Sequence, residues 1–411
     1  MRTVRQRRAL AALGLVVAGG LVLGGCGGSG SSGGSTGKTL RVLIGSSGDA
    51  ETTAVKAAVQ AWSDSSGVKA EVVAASDLNQ ELSQGFASGQ PADVFYVSAD
   101  SFAGYASNGS LLAYGDKLDN VDDFYPSLVD QFTFDKKFYC APKDFSTLAL
   151  VINTADWTEA GLTDADVPTT WDQLTTVSAT LTANGRKGLV FSGEYARVGV
   201  FMSQAGGGLV NADSTKATVD SDANVTALTY VQSLLKSGNG AYASGVGAGW
   251  GGEAFGKNLT AMTIEGNWIK GSLEADYPDV AYRVVELPAG PKGQGTLQFT
   301  NCWGIAADSS RTDDAIDLVS YLTATDQQIA FAKAFGVMPS VKSAADGYRQ
   351  AFPEMAAFID SADFADNVVN LKGAADVIAD FNSQLEGLAT GDPKAILASV
   401  QTNMQDVIDN Q

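Results

Sequence analysis

From Thr39 onward, the apolar residues switch between short continuous runs and helical spacing. Thr39-Leu40-Arg41-Val42-Leu43-Ile44 reads as a strand, followed by the turn Gly45-Ser46-Ser47-Gly48-Asp49. Val55, Ala58, Val59 and Trp62 then recur at helical spacing. Glu71-Val72-Val73 predicts a second strand, Leu78, Leu82 and Phe86 a second helix, Asp93-Val94-Phe95-Tyr96-Val97 a third strand, and 100–107 a short helix. This β-α-β-α-β order predicts a largely parallel sheet with helices on both faces.

The stretch Phe138–Asn153 stands apart. It begins aromatic and polar, passes through Cys140, Pro142, Lys143 and Asp144, and ends in Leu148-Ala149-Leu150-Val151-Ile152. A continuous apolar run of this length predicts a strand buried on both faces. The polar segment feeding into it suits either a cleft at the strand's edge or a surface turn. Alternation then resumes. Pro168-Thr169-Thr170-Trp171 starts a helix with Leu174, Val177 and Leu181 on one face, and Leu189-Val190-Phe191 is a strand. Val225, Leu228, Val231 and Leu235 mark a helix, and glycine-rich 238–252 reads as a loop carrying Trp250. Strands are expected at 261–264, 280–287 and 303–306, with helices after them; Pro393 stands in the first turn of the last. No internal repeat recurs at a fixed spacing.

A chain of 411 residues, 45% hydrophobic and 18% charged, supports two or three domains with a large core. Its 46 acids against 27 bases give a formal charge of −19, which argues against nucleic acid and against anionic lipid surfaces. Histidine is absent from the sequence. That removes Ser-His-Asp and Cys-His catalysis and imidazole-based zinc sites. Carboxylate-only chemistry and calcium stay open on composition, but no metal site or cofactor is assigned.

Arg2, Arg5, Arg7 and Arg8 precede the apolar segment Ala9–Leu23, which is too short to span a bilayer comfortably. Leu23-Gly24-Gly25-Cys26 resembles the lipobox of bacterial lipoproteins. The resemblance implies a signal peptide over 1–25 and a lipidated Cys26; Arg7-Arg8 leaves open twin-arginine as well as general export. Gly27–Gly37 contains only Gly, Ser and Thr, so 26–38 reads as a lipidated cysteine and a flexible tether with a reach of roughly 15–20 Å. Loss of the leader leaves 23 bases against 46 acids, a charge of −23.

Several segments in order resemble the lipid-anchored solute-binding proteins of ABC importers, in their carbohydrate-binding, maltose-binding-protein-like branch. Asp93–Asp100 followed by Gly104-Tyr105-Ala106 is similar to the family's strand and ligand-contacting loop. Asp144–Asn153 resembles its first crossing between lobes, and Gly336-Val337-Met338-Pro339-Ser340 its last. Glu194 keeps the family spacing to Gly206-Gly207, and Met262–Trp268 resembles the strand ending in Gly-x-Trp, whose Trp stacks on sugar. Two positions depart from the pattern: Ser101 stands where an arginine is frequent, and Ala196 where an aromatic is, with Tyr195 beside it. These departures bear on maltose itself more than on carbohydrate.

The resemblance implies an α/β, two-lobe periplasmic-binding-protein-like fold (type II), with ligand held between lobes joined by crossing segments. Lobe one is expected at 39–143 plus 303–339, lobe two at 144–300 plus 341–411. The implied function is capture of a sugar or oligosaccharide for an ABC permease, by a monomer anchored outside the cytoplasmic membrane. Sugars offer hydroxyls to carboxylates and amides, and C–H faces to aromatic rings. Asp100, Asp144, Glu194, Glu265 and Asn267 are the hydrogen-bonding candidates, and Tyr195, Trp250, Trp268 and Trp303 the stacking ones. Ser47 follows the first strand, where parallel sheets place ligands. Core packing is the competing role for each tryptophan, and solvated surface for each acid. A disulfide between Cys140 and Cys302 is expected, because export is oxidising, lipidation removes Cys26, and both flank segments resembling the crossings. Two rivals remain: a carboxylate-based glycoside hydrolase, and a binder of polyamines or metal-ion complexes.

Overall fold

A computed structural model describes residues 39–411; the expected leader, Cys26 and the tether lie outside the described residues. One sheet runs through the molecule. Its main path places strands in the order Ala70–Ala74, Leu40–Ile44, Val94–Ser98, Thr296–Ile305, Ala141–Asn153, Thr260–Gly266, Lys187–Phe191, Gly240–Tyr242. The first three pair in parallel, as do the last three. Between these halves the long strands Ala141–Asn153 and Thr296–Ile305 pair antiparallel with each other and with their outer neighbours. Along this path the expected parallel pairing holds toward both ends and gives way to antiparallel pairing at the centre, where the short Ala365–Asn367 adds one parallel pair to Thr296–Ile305. A strand that passes from one half to the other needs no helical crossover, so it can meet its neighbours head to tail.

The apolar runs are buried on both faces, as their composition requires. In Val94–Ser98, Val94 and Tyr96 pack with Leu40, Trp62 and Ile305, while Phe95 and Val97 pack on the other side with Phe102 and Phe132. In the second half, Leu148, Leu150 and Ile152 join Leu189, Phe191 and Phe201, while Ala149 and Val151 face Phe255, Ile269 and Phe358. Each half thus has its own core, and helices cover both faces: two lobes joined through the long strands. Val341 and Ala344, which follow the last crossing, pack in the first lobe's core. Cys140, just before the strand Ala141–Asn153, and Cys302, on the neighbouring strand Thr296–Ile305, are buried and form a disulfide, Cα–Cα 5.5 Å.

The helices begin and end where the sequence provides caps. Thr170 accepts from the Gln173 amide to start Trp171–Leu181, and Ser221 caps Asp222–Ser237, which Gly238 ends at φ 76°. Pro393 opens Pro393–Asp409. Three local expectations change. The 238–252 segment contains the strand Gly240–Tyr242, a 3-10 turn and the start of the helix Gly251–Gly256. The 280–287 strand shortens to Tyr282–Val285, a partner of Ala141–Asn153. The 303–306 strand is the tail of the ten-residue Thr296–Ile305, whose front half carries Gln298, Thr300 and Asn301 and so lacks an apolar run.

Candidate functional site: a cleft between the lobes

A cavity of about 1080 Å³ opens where the parallel strands of the two halves end and the crossing strands pass. The first lobe contributes the turn Gly45–Ser47 and the start of the helix Ala99–Ser107; the second contributes Asn267–Gly271. Lys143–Ser146, Phe299–Asn301 and Lys333–Val337 form the floor and back. The volume lies just above the ~300–1,000 Å³ typical of small-ligand sites.

Lys143 is the centre of the first-lobe wall. The strand register jumps from Asn301↔Asp144 to Cys302↔Pro142, so Lys143 is an extra residue in a bulge. Regular strand neighbours point to opposite faces, and the bulge lets Lys143 and Asp144 both line the cavity. The Lys143 ammonium pairs with Glu51 Oε1 at 3.0 Å and with the adjacent Asp144 carboxylate, and lies 4.7 Å from the centre of the Tyr96 ring. Glu51 also accepts from Tyr96 Oη at 3.0 Å and from the Ser47 amide and hydroxyl at 2.7 Å each. Burial alone would raise the Glu51 carboxyl; the Lys143 charge and the Ser47 bonds outweigh it and hold it below its ordinary value. Burial likewise opposes the Lys143 ammonium, but Asp144 and Glu51 prevail and keep it above the usual lysine range. Burial pushes the Asp144 carboxyl up against the pull of Lys143. This wall presents an ammonium and a carboxylate side by side, a donor and an acceptor fixed in place.

Trp268 is the second-lobe wall. It is 39% exposed, and only Val73 among the described large apolar residues is also exposed. Its ring lies back over Gly266, where a Cβ would come within 2.3 Å of it, so this glycine is needed for the ring's position. Phe299 meets it edge-on at 5.8 Å, and the Arg197 guanidinium sits 5.3 Å from its centre. Its indole N–H donates to Glu265 Oε2 at 3.1 Å. Glu265 is fully buried and pairs with Arg197 at 2.5 Å, and Arg197 reaches on to Glu194 at 2.9 Å. Burial raises the Glu265 carboxyl above its ordinary value, with Arg197 pulling the other way. Nearby, Asn267 donates its amide to Gly336 O at 3.0 Å, tying the wall to the last crossing.

Of the expected residues, Ser47, Asp100, Asp144, Asn267 and Trp268 line this one cavity. The others lie elsewhere. Trp303 is 1% exposed and packs edge-on against Tyr96 at 4.7 Å in the first core, so its stacking role is corrected to core packing. Glu265 stands behind Trp268 rather than in the cleft, because Arg197 and the indole occupy its Oε2. Glu194 stands at the N-terminal boundary of the helix Tyr195–Gln204 and extends its half-exposed side chain to Arg197 rather than back to the helix amides. Trp250 folds over Gly252 against the apolar cluster at the lobe junction. Tyr195 is buried in the second core and lines a smaller cavity of about 420 Å³. Sequence reasoning missed Glu51, Lys143, Phe299, Asn301 and Phe335 as lining residues. Lys143 carried a signal, a charged residue inside a segment that turns into a core strand; Glu51, in the acidic first turn of a helix, carried none.

Two α/β lobes with a polar, aromatic cleft between them define a binding protein that encloses its ligand. Residues 57–365 match the model of the bacterial extracellular solute-binding proteins, and the chain belongs to that family. The diacetylchitobiose binding protein DasA of Streptomyces coelicolor is 26% identical over 286 residues, 66% of this chain and 66% of that one. The crystal structure of a cyclic alpha-maltosyl-1,6-maltose binding protein from Arthrobacter globiformis superposes with a TM-score of 0.81 at 22% identity, over 91% of this chain and 100% of that one. UgpB from Mycobacterium tuberculosis, solved in complex with glycerophosphocholine, gives 0.76 at 19% identity, over 91% and 99%. At these identities the structural likenesses establish the fold.

Proposed function

We propose that the protein captures a sugar or oligosaccharide between its lobes and delivers it to an ABC permease. The observation that carries this reading is that one cavity is lined both by Trp268, an exposed aromatic ring, and by the fixed Lys143–Asp144 pair. Ring faces cover sugar C–H surfaces, and adjacent donors and acceptors match neighbouring hydroxyls. Asp100 and Ser47 would bind from the first lobe, Asn267 and Trp268 from the second, and Asp144 from the crossing strand. The lining holds three lysines, Lys143, Lys270 and Lys333, against four acids, Glu51, Asp100, Asp144 and Glu274. That near balance favours a neutral ligand over a polyamine, despite the acidic surface. The relatives named for sugar ligands support the same class.

Contacts to both lobes favour a closed form, and a closed form is what a permease can recognise. The lobes proposed are those expected from the sequence, 39–143 plus 303–339 and 144–300 plus 341–411, with Val341 and Ala344 moved to the first lobe, whose core they join. Cys26 is proposed to carry the lipid that holds a monomer at the outer face of the cytoplasmic membrane, and no catalysis is assigned. Calorimetry with saccharides and polyamines, with product analysis of the saccharide samples, tests the reading. Saccharide binding without cleavage is expected. Binding of polyamines alone, or release of shortened sugars, overturns it.

A further inference from the structure

The face of an aromatic ring attracts cations, and tryptophan is the strongest such platform. An exposed Trp268 in a cleft lined by Glu51, Asp100, Asp144 and Glu274 could therefore seat an ammonium as readily as a sugar. The protein supplies that cation itself. The Arg197 guanidinium lies 5.3 Å from the ring centre, inside the roughly 6 Å reach of the interaction. Arg197 is buried and is not among the residues that line the cleft, so it stands on the protein side of the ring and leaves the other face to ligand.

The charge is fixed in place. Arg197 rises from the first turn of the helix Tyr195–Gln204, and its two terminal nitrogens donate to different acids, Glu194 at 2.9 Å and Glu265 at 2.5 Å. Glu265 in turn accepts from the Trp268 indole, so cation and ring share one carboxylate oxygen. A guanidinium stays protonated in proteins, which makes the charge behind the ring permanent. Phe335, another ring of the cleft lining, has the Lys143 ammonium 5.9 Å from its centre.

We propose that Arg197 makes the cleft select uncharged saccharides over their ammonium-bearing analogues, by holding a positive charge behind the stacking face of Trp268. The C–H face of a neutral sugar loses little to that charge. An ammonium on the free face meets a like charge across a ring whose attraction for cations is already engaged. The inference rests on the saccharide reading of the cleft. It makes Arg197 a specificity-determining residue that acts through Trp268 without touching ligand.

The test is calorimetry with malto-oligosaccharides and N-acetylated chito-oligosaccharides. Each is compared with analogues in which one primary hydroxyl, in each sugar unit in turn, is replaced by an amine that is an ammonium at neutral pH. The central comparison is between Glu194→Gln and the triple variant Glu194→Gln, Arg197→Gln, Glu265→Gln. These two have the same net charge, and neither leaves a carboxylate bare of its arginine. Wild type and Glu194→Gln should prefer the neutral parents. In the triple variant that preference should fall roughly three- to tenfold for the sugar unit stacked on Trp268. Arg197→Lys keeps the charge without the planar fork and should keep most of the preference, which tests the charge even if the triple variant folds poorly. An unchanged preference in the triple variant overturns the inference and leaves the cleft reading standing. So does a loss in Arg197→Lys as large as in the triple variant, or a wild type that binds the amino analogues as well as their parents. Binding of neither parent series overturns the saccharide reading itself, and this inference with it.

Discussion

Glu51 and Glu265 are both buried, both paired to a base, and both beside the cleft, yet burial has opposite outcomes for them. Glu51 has Lys143, Tyr96 and two donors of Ser47 across its two oxygens. Glu265 has Arg197 and Trp268, both on Oε2; its Oε1 has no partner and lies beside Gly251 and the unpaired Thr263 hydroxyl. The first carboxyl is held below its ordinary value and the second above it. Burial opposes ionisation in both, and the number of donors decides which effect wins. The comparison separates two uses of a buried acid. Glu51 anchors a charge, Lys143, that faces ligand; Glu265 orients a ring, Trp268, that faces ligand.

The largest effect belongs to the anchored charge. Lys143→Met leaves Glu51 buried without its cation, and breaking a buried pair in this way costs about 3–5 kcal/mol. Denaturant unfolding at neutral pH should show that loss, and Glu51→Gln added to Lys143→Met should restore part of it. A double variant as unstable as the sum of the singles would mean the two groups do not depend on each other.

The oriented ring comes next, and its effect falls on binding. Trp268→Ala should cost about 1–3 kcal/mol of saccharide affinity, as for other aromatic anchors, with little change in melting temperature because the side chain is 39% exposed. Glu265→Gln should weaken binding by less, since it loosens the ring without removing it. In a Trp268→Ala background the Glu265→Gln change should have almost no further effect on affinity. An undiminished effect there would place Glu265 in direct contact with ligand.

The contrast also marks what could be read from the residues alone. The run at 148–152 declared a strand buried on both faces, because nothing else suits so many adjacent apolar residues, and the shorter runs at 40–44 and 94–97 declared strands. Their partners were not legible, since periodicity is local and the antiparallel centre is made by residues more than a hundred positions apart. Thr296–Ile305 was seen only by its apolar tail. Trp268 and Trp303 offer the same side chain to the reader; Gly266, which leaves room for the ring, and Tyr96, which packs on it, separate the two. Glu265 was legible as a residue of the site but not as a support, because its role depends on Arg197, distant in sequence. Lys143 needed a bulge, which follows from the pairing of two strands and not from either one.

The smallest effect is one of slope, and it tests the opening contrast most directly. Glu51 is lowered from an ordinary value of 4.5, so the stability it contributes is fully present above 4.5 and is lost as pH falls through its folded value. Glu265 is raised from 4.5, so its sign is reversed: ionising it costs stability, and that cost sets in as pH rises from 4.5 through its folded value. The two glutamine variants should therefore drift apart from wild type in opposite directions as pH is raised from about 4 to neutrality. Glu51→Gln should become progressively less stable relative to wild type. Glu265→Gln should become progressively more stable relative to wild type, whatever its offset at the acid end. Denaturation midpoints for the three proteins across that range measure both slopes, and the offset drops out of the comparison. Two slopes of the same sign would mean that donor count does not distinguish these carboxyls.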